Sequence, residues 1–180
     1  MKTVTGTELR HAMRRLPSPV TIVTASVGEK IRGITIGSFA SVSLEPALVS
    51  LNLSVETPML PLVERSSRFV VHVLREDQAH LSELFAVPDR TGEEQFAEVA
   101  FHRDETGLPV LEGVLARLYC SVDALHPAGD HVLVIGRVDQ VEELSAGHPL
   151  VYFNRGYHSV GDEVDIEVVS GARRASTGTS

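Results

Sequence analysis

The order of apolar and polar residues along the chain predicts a protein made mainly of β-strands. Segments rich in Val, Ile and Thr recur between clusters of Gly, Pro and Asp, which is the pattern of strands joined by turns. Residues 47–53 carry so little polarity that we expect this strand to be buried on both faces. The predicted strands are residues 20–27, 31–37, 47–53, 68–74, 113–124, 131–142 and 150–157.

A few short helices are predicted between these strands. Thr5 and Glu8 have the spacing of a capping box, which predicts a helix over residues 5–16 with its apolar positions on one face. Thr57 and Pro58 are the residue types of a helix start, with Thr57 as the N-cap. The other predicted helical segments are residues 77–85 and 93–99.

Long strands with helices between them predict an antiparallel β-barrel with helical inserts, hence a mainly β fold. A length of 180 residues fits a single domain. We expect this domain to occupy residues 1–161. Residues 162–180 are acidic and then rich in Gly, Ser and Arg, which predicts a poorly structured tail.

Composition excludes several classes of function. A formal net charge of -8 argues against general nucleic-acid binding, which requires clustered Lys and Arg. No apolar run approaches the roughly 20 residues that span a membrane, and no signal peptide is evident. Cys120 is the only cysteine and lies in an apolar segment, so we expect a buried thiol in a protein without disulfides. These features predict a cytoplasmic protein that binds neither nucleic acid nor membranes.

Several chemical motifs are missing from the sequence. There is no G-x-G-x-x-G fingerprint and no P-loop, which argues against the usual dinucleotide- and triphosphate-binding domains. The sequence also lacks G-x-S-x-G and H-E-x-x-H. His126 and His131 flank a turn without an evident third ligand, so we expect no metal site.

Residues 33–46 form the first segment that could bind a ligand. Short hydroxyl side chains recur in it at Thr35, Ser38, Ser41 and Ser43. Such hydroxyls and backbone N–H groups can bond the polar edge of a flavin ring and favour its more negative, reduced form. Taken alone, the pattern is more typical of an ordinary Ser/Thr-rich strand and turn.

Two further segments have polar residues at element ends. Ser54 and Thr57 fall where a strand ends and the predicted helix begins, a place where free N–H groups could bind a phosphate. In residues 126–131, Gly129 allows a tight turn and Asp130 could orient the ring of His131. A capping threonine and a surface histidine are ordinary explanations of the same residues.

Taken together, the order and spacing of these segments resemble the flavin reductase-like family, the short-chain NAD(P)H:flavin oxidoreductases. Residues 33–46 resemble its G-x-T-x-x-S-F-x-S-V-S-L-x-P signature, residues 129–131 its G-D-H turn, and residues 149–157 its closing strand. His72 departs from the family, which often has Asn at this position. The resemblance implies an antiparallel Greek-key split β-barrel, the FMN-binding split-barrel fold.

The resemblance also implies which residues would form the site. No residue would serve as an acid or base, because hydride transfer depends on the orientation of the two rings. Asn52, Ser54 and Thr57 would serve the ribityl and phosphate end of the flavin, although the acidic Glu56 lies among them. The implied flavin-binding residues are Thr35, Ile36, Gly37, Ser38, Ser41, Val42, Ser43, Asn52, Ser54 and Thr57, and the implied nicotinamide-binding residues are His131 and Tyr157.

The implied function is hydride transfer from NADH or NADPH to FMN or FAD by a homodimer. Reduced flavin would diffuse to a separate flavin-dependent monooxygenase. The alternatives are a carrier or oxidase with tightly bound flavin, and a non-enzymatic flavin- or haem-binding protein. The G-D-H turn favours the reductase, since a simple binder needs no nicotinamide contact. The sequence does not choose between FMN and FAD. It does not choose between NADH and NADPH either, because the 2′-phosphate of NADPH could meet any of Arg32, Arg68, Arg90 and Arg155.

Overall fold

A computed structural model describes residues 3–144 and 146–163 of the chain. The α-helices are α1 (Gly6–Met13), α2 (Leu60–Ser66), α3 (Ala79–Ala86) and α4 (Gly92–Phe96), and a 3-10 helical turn over Glu76–Gln78 leads into α3. The strands are β1 (Ser18–Pro19), β2 (Thr21–Val27), β3 (Lys30–Ile36), β4 (Ala40–Leu44), β5 (Ala47–Ser54), β6 (Arg68–Val73), β7 (Phe101–Arg103), β8 (Pro109–Leu111), β9 (Ala116–Ala128), β10 (His131–Glu143), β11 (Leu150–Phe153) and β12 (Gly156–Ser159). Apart from Asp162 and Glu163, the predicted tail lies outside the described residues, and the domain boundary stays a prediction.

Seven strands form one antiparallel sheet in the order β3-β2-β6-β9-β10-β5-β4. The sheet curls until β3 comes close to β5, where the N–H of Asn52 donates to the hydroxyl oxygen of Ser38 at 3.0 Å. Beyond that contact the two strands are not paired, so the barrel stays open along one side. The prediction of a mainly antiparallel β fold with helical inserts is confirmed, and the open sheet is consistent with a split barrel.

The core has apolar clusters on both faces of the sheet. Inside the curled sheet, Val23, Phe69 and Val134 pack with α2. On the outer face, Ile22 and Phe85 pack where α3 and α4 cover the sheet. Strand β2 is therefore buried on both faces, because alternate side chains enter different clusters.

Strand β5 is buried on one face only, contrary to the sequence prediction. Val49, Leu51 and Leu53 are buried, whereas Ala47 and Asn52 are exposed. The apolar cluster that covers the outer face of β2 includes no residue of β5. Two-sided burial thus depends on which distant elements cover a strand, and the composition of the strand itself does not decide it.

The closing strand and the start of α2 also differ from the predictions. Residues 150–157 form the hairpin β11–β12 rather than one strand, turning at Asn154 and Arg155, whose φ angles are 47° and 69°. The expected hairpin signal, a glycine inside the turn, is absent there.

Helix α2 begins at Leu60 with Met59 as its N-cap, so the predicted start at Thr57 is wrong. Thr57 instead lies in a turn, where its N–H donates to the Ser54 carbonyl at 3.1 Å.

Helix α1 has the predicted capping box but no share in the core. The N–H of Glu8 donates to the Thr5 hydroxyl oxygen, and the N–H of Thr5 donates to the Glu8 carboxylate. The helix buries no residue, and Leu9, Met13 and Leu16 are each more than half exposed. Its apolar face is therefore directed to the outside of the described chain.

His72 joins three strands from inside the core. Its Nδ1 lies 3.0 Å from the carbonyl oxygen of Ile22 in β2, and its Nε2 accepts the N–H of Leu111 in β8 at 3.0 Å. These partners require a neutral ring with the proton on Nδ1. Burial lowers the pKa of His72 to about 3, because a charged ring in this position would lose its hydration. A side chain with one donor and one acceptor, such as Asn, has the same bonding capacity.

We predict that His72 makes the protein sensitive to acid. Its pKa is lower in the folded chain than in the unfolded one, so its contribution is complete above about pH 6.5 and is lost as pH falls toward 3. In this range the free energy of unfolding should fall by up to about 1.4 kcal/mol per pH unit more steeply in the wild type than in His72→Asn. Denaturant titrations at several pH values measure both slopes. Equal slopes, or an NMR titration that charges the His72 ring near pH 6.5 in the folded protein, would contradict the assignment.

Candidate functional site

The open side of the barrel contains a groove of about 380 Å³, here called the central groove. One wall is the end of β3 and the other is β5, with one side chain added from the start of β10. It brings together seven of the residues predicted for the site from three separate parts of the chain. The groove is lined by Ile34, Thr35, Ile36, Gly37, Ser38, Asn52, Ser54 and His131.

Two neighbouring grooves adjoin the central one. The lower groove, of about 340 Å³, contains Ser54 and Thr57 together with Arg32, under the end of α3. The tyrosine groove, of about 410 Å³, contains Tyr152 and Tyr157 and shares residues 35–37 with the central groove. Thr57 and Tyr157 therefore lie beside the central groove and do not line it.

His131 is held in place by strand pairing and by its neighbour in sequence. The pairing of β10 with β5 sets it opposite Ser54. Its Nδ1 lies 2.8 Å from a carboxylate oxygen of Asp130, which confirms the expected contact. This hydrogen bond lowers the pKa of the Asp130 carboxyl below its usual range. With Nδ1 bonded to Asp130, Nε2 is the ring nitrogen left for a ligand.

The free edge of β3 is partly satisfied by one buried side chain. The Gly33 N–H donates to Gln95 Oε1 and the Gln95 amide nitrogen donates to the Gly33 carbonyl, both at 3.1 Å. Gly33 therefore directs its backbone groups away from β2. The direction of the backbone groups reverses at each residue of an antiparallel strand, so it is the same at Gly33 and at Thr35, two residues on. The N–H and C=O of Thr35 therefore also point away from β2, toward the grooves. The strand thus presents one donor and one acceptor on the open side.

The hydroxyl of Thr35 is bonded within the protein. It donates to the carbonyl oxygen of Ser82 in α3 at 2.7 Å. The Ser82 hydroxyl lies 2.9 Å from the hydroxyl of Tyr157, so these three residues connect β3, α3 and β12. Thr35 can therefore offer a ligand its backbone, while the Ser38 hydroxyl, which accepts from Asn52, keeps its proton to donate.

The turn after β5 does not offer the free N–H groups expected of it. The Val55 N–H donates to the Asp130 carbonyl and the Thr57 N–H donates to the Ser54 carbonyl, each at 3.1 Å. The Glu56 N–H donates to the Ser54 hydroxyl oxygen at 3.3 Å. The expectation of a helix N-terminus at this turn is therefore wrong, and the donors that remain are the hydroxyl protons of Ser54 and Thr57.

Ser41, Val42 and Ser43 lie away from these grooves. They belong to β4, the last strand of the sheet, at an irregularity in its pairing with β5. Val42 is 53% exposed and the following Leu44 is 87% exposed. Within a single chain, these residues therefore face outward instead of lining the central groove.

Sequence patterns did not single out Gln95 or Ser82, and Arg32 was only one of four arginines considered for a 2′-phosphate. Gln95 and Ser82 are buried and bond to β3, and Arg32 is half-buried and lines the lower groove. None of the three belongs to a local motif. Gln95 and Ser82 bond to residues that are distant in sequence, and Arg32 is one of many arginines in the chain. Cys120 is buried as expected, and burial raises the pKa of its thiol to about 12.

Two features are absent from the part of the chain that the structure describes. No cluster of three or more His, Cys, Asp or Glu side chains there is arranged to hold a metal ion. No helix in the same residues has the length and apolar character needed to cross a membrane.

Comparison with known proteins decides the family. The profile of the flavin reductase like domain matches residues 13–161. The chain belongs to the flavin reductase-like family. The reductase component of 4-hydroxyphenylacetate 3-monooxygenase from Thermus thermophilus is 42% identical over 82% of this chain and 92% of its own length. An NADH:FMN oxidoreductase from Rhodococcus qingshengii is 39% identical over 84% of this chain and 80% of its own length.

A solved structure extends the family comparison to the fold. The NADH:FAD oxidoreductase SgcE6 of Streptomyces globisporus C-1027, in complex with NAD and FAD fragments, has a TM-score of 0.82 and 27% identity to this chain. The match covers 92% of this chain and 100% of that structure. This relative has its nucleotides bound on the same fold.

We predict that Gln95→Leu will destabilise the flavin reductase domain by about 2 kcal/mol. The substitution keeps the approximate volume but leaves the buried N–H and C=O of Gly33 without partners. Denaturant unfolding measures the loss. The matched control is Gln140→Leu, because the Gln140 amide nitrogen donates to Glu142 at an exposed position, so its effect should be small. A similar loss in both variants would show that Gln95 does not satisfy the edge of β3.

Proposed function

We propose that this protein is an NAD(P)H:flavin oxidoreductase that reduces FMN or FAD in the central groove. The supporting observation is that one groove combines the open backbone edge of β3, the Ser38 hydroxyl and the Asp130–His131 pair. Relatives that match most of the chain are named NADH:FMN oxidoreductase and NADH-dependent flavin reductase, which supports the same activity. When bound, flavin and nicotinamide supply the hydride acceptor and donor.

The edge of β3 fits the polar side of a flavin ring. The Thr35 backbone offers a donor and an acceptor in the plane of the sheet, and Ser38 offers a hydroxyl proton from the adjacent position. These groups are fixed before any ligand arrives, because β3 is paired with β2 over its whole length. Fixed donors near a ring that becomes more negative on reduction would favour the reduced form.

The ribityl chain and phosphate would extend from this ring into the lower groove. Asn52 and Ser54 lie between the two grooves, and Thr57 adds a second hydroxyl. Arg32 supplies a positive charge beside them, with one of its nitrogens bonded to the Pro88 carbonyl at 2.7 Å. This cation offsets Glu56, which lines the same groove. A phosphate at this position would be held by hydroxyls and a guanidinium.

The nicotinamide nucleotide would bind against His131. Asp130 fixes the ring of His131, so that its free nitrogen can contact the nucleotide in a constant orientation. Tyr157 would bound the same cleft from the tyrosine groove, where Ser82 holds its hydroxyl. The protein would act by orientation alone, since stacking the two rings needs no proton transfer by a side chain.

The proposed setting is a homodimer in the cytoplasm that exports reduced flavin to a separate monooxygenase. The name of the Thermus relative, a monooxygenase reductase component, supports such a partner. The outward apolar residues of α1 and of β4 support a second copy of the chain, which would cover Leu9, Met13, Val42 and Leu44. In such a dimer, Ser41, Val42 and Ser43 would reach a flavin only at the interface between subunits.

We predict that the protein will accelerate anaerobic bleaching of FMN or FAD by NADH or NADPH. Loss of the visible absorption band of oxidised flavin measures the rate. Reduced flavin should then pass an ultrafiltration membrane that retains the protein. A rate no higher than without protein would contradict the reductase proposal, and flavin that stays with the protein would favour a carrier or oxidase.

We predict that His131→Ala will raise the KM for the nicotinamide nucleotide about tenfold, the equivalent of about 1.4 kcal/mol. The Kd for flavin should change less than twofold, because the proposed contact of His131 is with the nucleotide. His126→Ala is the matched control, since His126 is an exposed histidine on the adjacent strand β9 and lines none of the grooves described above. Equal losses of nucleotide and flavin binding would assign His131 to the flavin or to the fold.

A further inference from the structure

The tyrosine groove contains two charged side chains that the proposed hydride transfer does not use. Arg155 and Glu83 both line this groove, and both are exposed. Within the residues that the structure describes, neither side chain has an ion pair or a hydrogen bond. The groove therefore offers a ligand one free cation and one free carboxylate.

The fold determines where these two charges lie. Arg155 is at the tip of the β11–β12 hairpin, where its φ angle of 69° is one that hairpin turns usually fill with glycine. The N–H of the adjacent Asn154 donates to the Arg14 carbonyl at 3.3 Å, which ties the tip to the end of α1. Glu83 lies on α3, and Ala86, one turn further on, lines the same groove. The two charges thus come from two different elements.

The groove also has an aromatic wall. The rings of Tyr152 and Tyr157 pack edge to face, with their centroids 5.4 Å apart. The Ser82 hydroxyl lies 2.9 Å from the Tyr157 hydroxyl and holds this ring against α3. An aromatic wall in a groove of about 410 Å³ suits a nucleoside, because bases pack favourably on aromatic side chains.

The tyrosine groove adjoins the proposed place of hydride transfer. It shares residues 35–37 with the central groove, where the nicotinamide would bind beside His131. The lower groove, which also adjoins the central one, would hold the flavin phosphate. In the described part of the chain, the tyrosine groove is therefore the space left for the diphosphate and the adenosine of the nicotinamide nucleotide.

The two charges suit different parts of such a ligand. A diphosphate requires a cation, and Arg155 is the only Lys or Arg among the described residues that line this groove. With Arg155 at the diphosphate, Glu83 is the charged group left for the adenosine ribose. A carboxylate accepts a hydrogen bond from the 2′-hydroxyl of NADH, whereas it repels the 2′-phosphate that NADPH carries at this position.

We propose that Glu83 selects NADH over NADPH by bonding to the adenosine ribose in the tyrosine groove. This inference rests on the proposed reductase function and on the nicotinamide site beside His131. Arg155 binds the diphosphate, which both nucleotides have, and thus adds affinity without selectivity. An Arg155 that bound the 2′-phosphate would select NADPH instead, and the test separates the two arrangements.

The decisive variant is Glu83→Gln, because it removes the charge and keeps the length of the side chain. Anaerobic steady-state reduction of FMN gives kcat and KM for NADH and for NADPH. The wild type should prefer NADH at least about tenfold in kcat/KM. In Glu83→Gln the KM for NADPH should fall about tenfold, while the KM for NADH and both kcat values change less than about threefold.

Two further variants complete the kinetic test. Glu64→Gln is the matched control for loss of one negative charge, because Glu64 is exposed on α2 and lines none of the grooves described above. Its preference for NADH should equal that of the wild type. Arg155→Gly should raise the KM for both nucleotides about tenfold, and the hairpin should persist because glycine suits the φ angle at this position.

Binding without turnover gives an independent measurement. The chain has three tyrosines and no tryptophan, so tyrosine rings labelled with 13C give three sets of NMR signals. ADP-ribose should shift the signals of Tyr152 and Tyr157 but not those of Tyr119, which is bonded to Glu142 and lines none of the grooves. The 2′-phosphate of ADP-ribose should bind about tenfold more weakly than ADP-ribose to the wild type, and about equally well to Glu83→Gln.

The same preference for NADH in the wild type and in Glu83→Gln would overturn the proposal, as would ADP-ribose shifts that leave Tyr152 and Tyr157 unchanged. A rise in KM confined to NADPH in Arg155→Gly would assign the 2′-phosphate to Arg155 and also overturn it. Failure of the wild type to reduce flavin with either nucleotide would instead refute the reductase proposal, and the NMR titrations would still decide the role of Glu83.

Discussion

The unpaired edge of β3 is the feature on which the rest of this structure depends. A sheet that curls without closing leaves backbone donors and acceptors exposed along its end strands, and each needs a partner or water. At Gly33 the partner is the Gln95 side chain. At Thr35, two residues further along, the same backbone groups face an open groove. One strand edge is thus closed by the protein at one position and offered to a ligand at the next.

Packing around this edge follows from the same requirement. A Cβ atom at Gly33 would lie 2.5 Å from the ring of Phe85, so the glycine lets α3 approach the strand closely. That approach brings Ser82 to the Thr35 hydroxyl and, through it, Tyr157 to the side of the groove. Helix α4 places the side chain of Gln95 against the backbone of Gly33 in the same strand. These contacts hold the strand rigid, which an enzyme that works by orienting two rings requires.

The parts of the site that sequence could predict are those with local causes. Asp130 and His131 are neighbours at a tight turn, so their contact was expected and is present. The β-branched runs predicted most of the long strands for the same local reason. Gln95 could not be predicted in its role, because its partner is 62 residues away and no pattern connects the two. The one-sided burial of β5 likewise depends on elements far from it in sequence.

Two polar groups are bonded within the protein where the sequence pattern suggested another role. Thr57 and Pro58 have the residue types of a helix start, yet the chain makes a separate turn first and the N–H groups there are already bonded. The hydroxyl of Thr35 fitted a ligand contact in sequence, but in the fold it is bonded to Ser82. In both cases the polar group lines a groove, and a partner within the protein already bonds it.

Hydrogen exchange of backbone amides can show directly whether a flavin binds along the open edge of β3. We expect saturating FMN to slow exchange in residues 34–38 and 52–57, where the strand edge and the hydroxyl groups would meet the ligand. Amides of β7 and β8, which lie outside the grooves, should be unchanged. Protection confined to other segments, with residues 34–38 exchanging as in the free protein, would show that flavin does not bind along this edge.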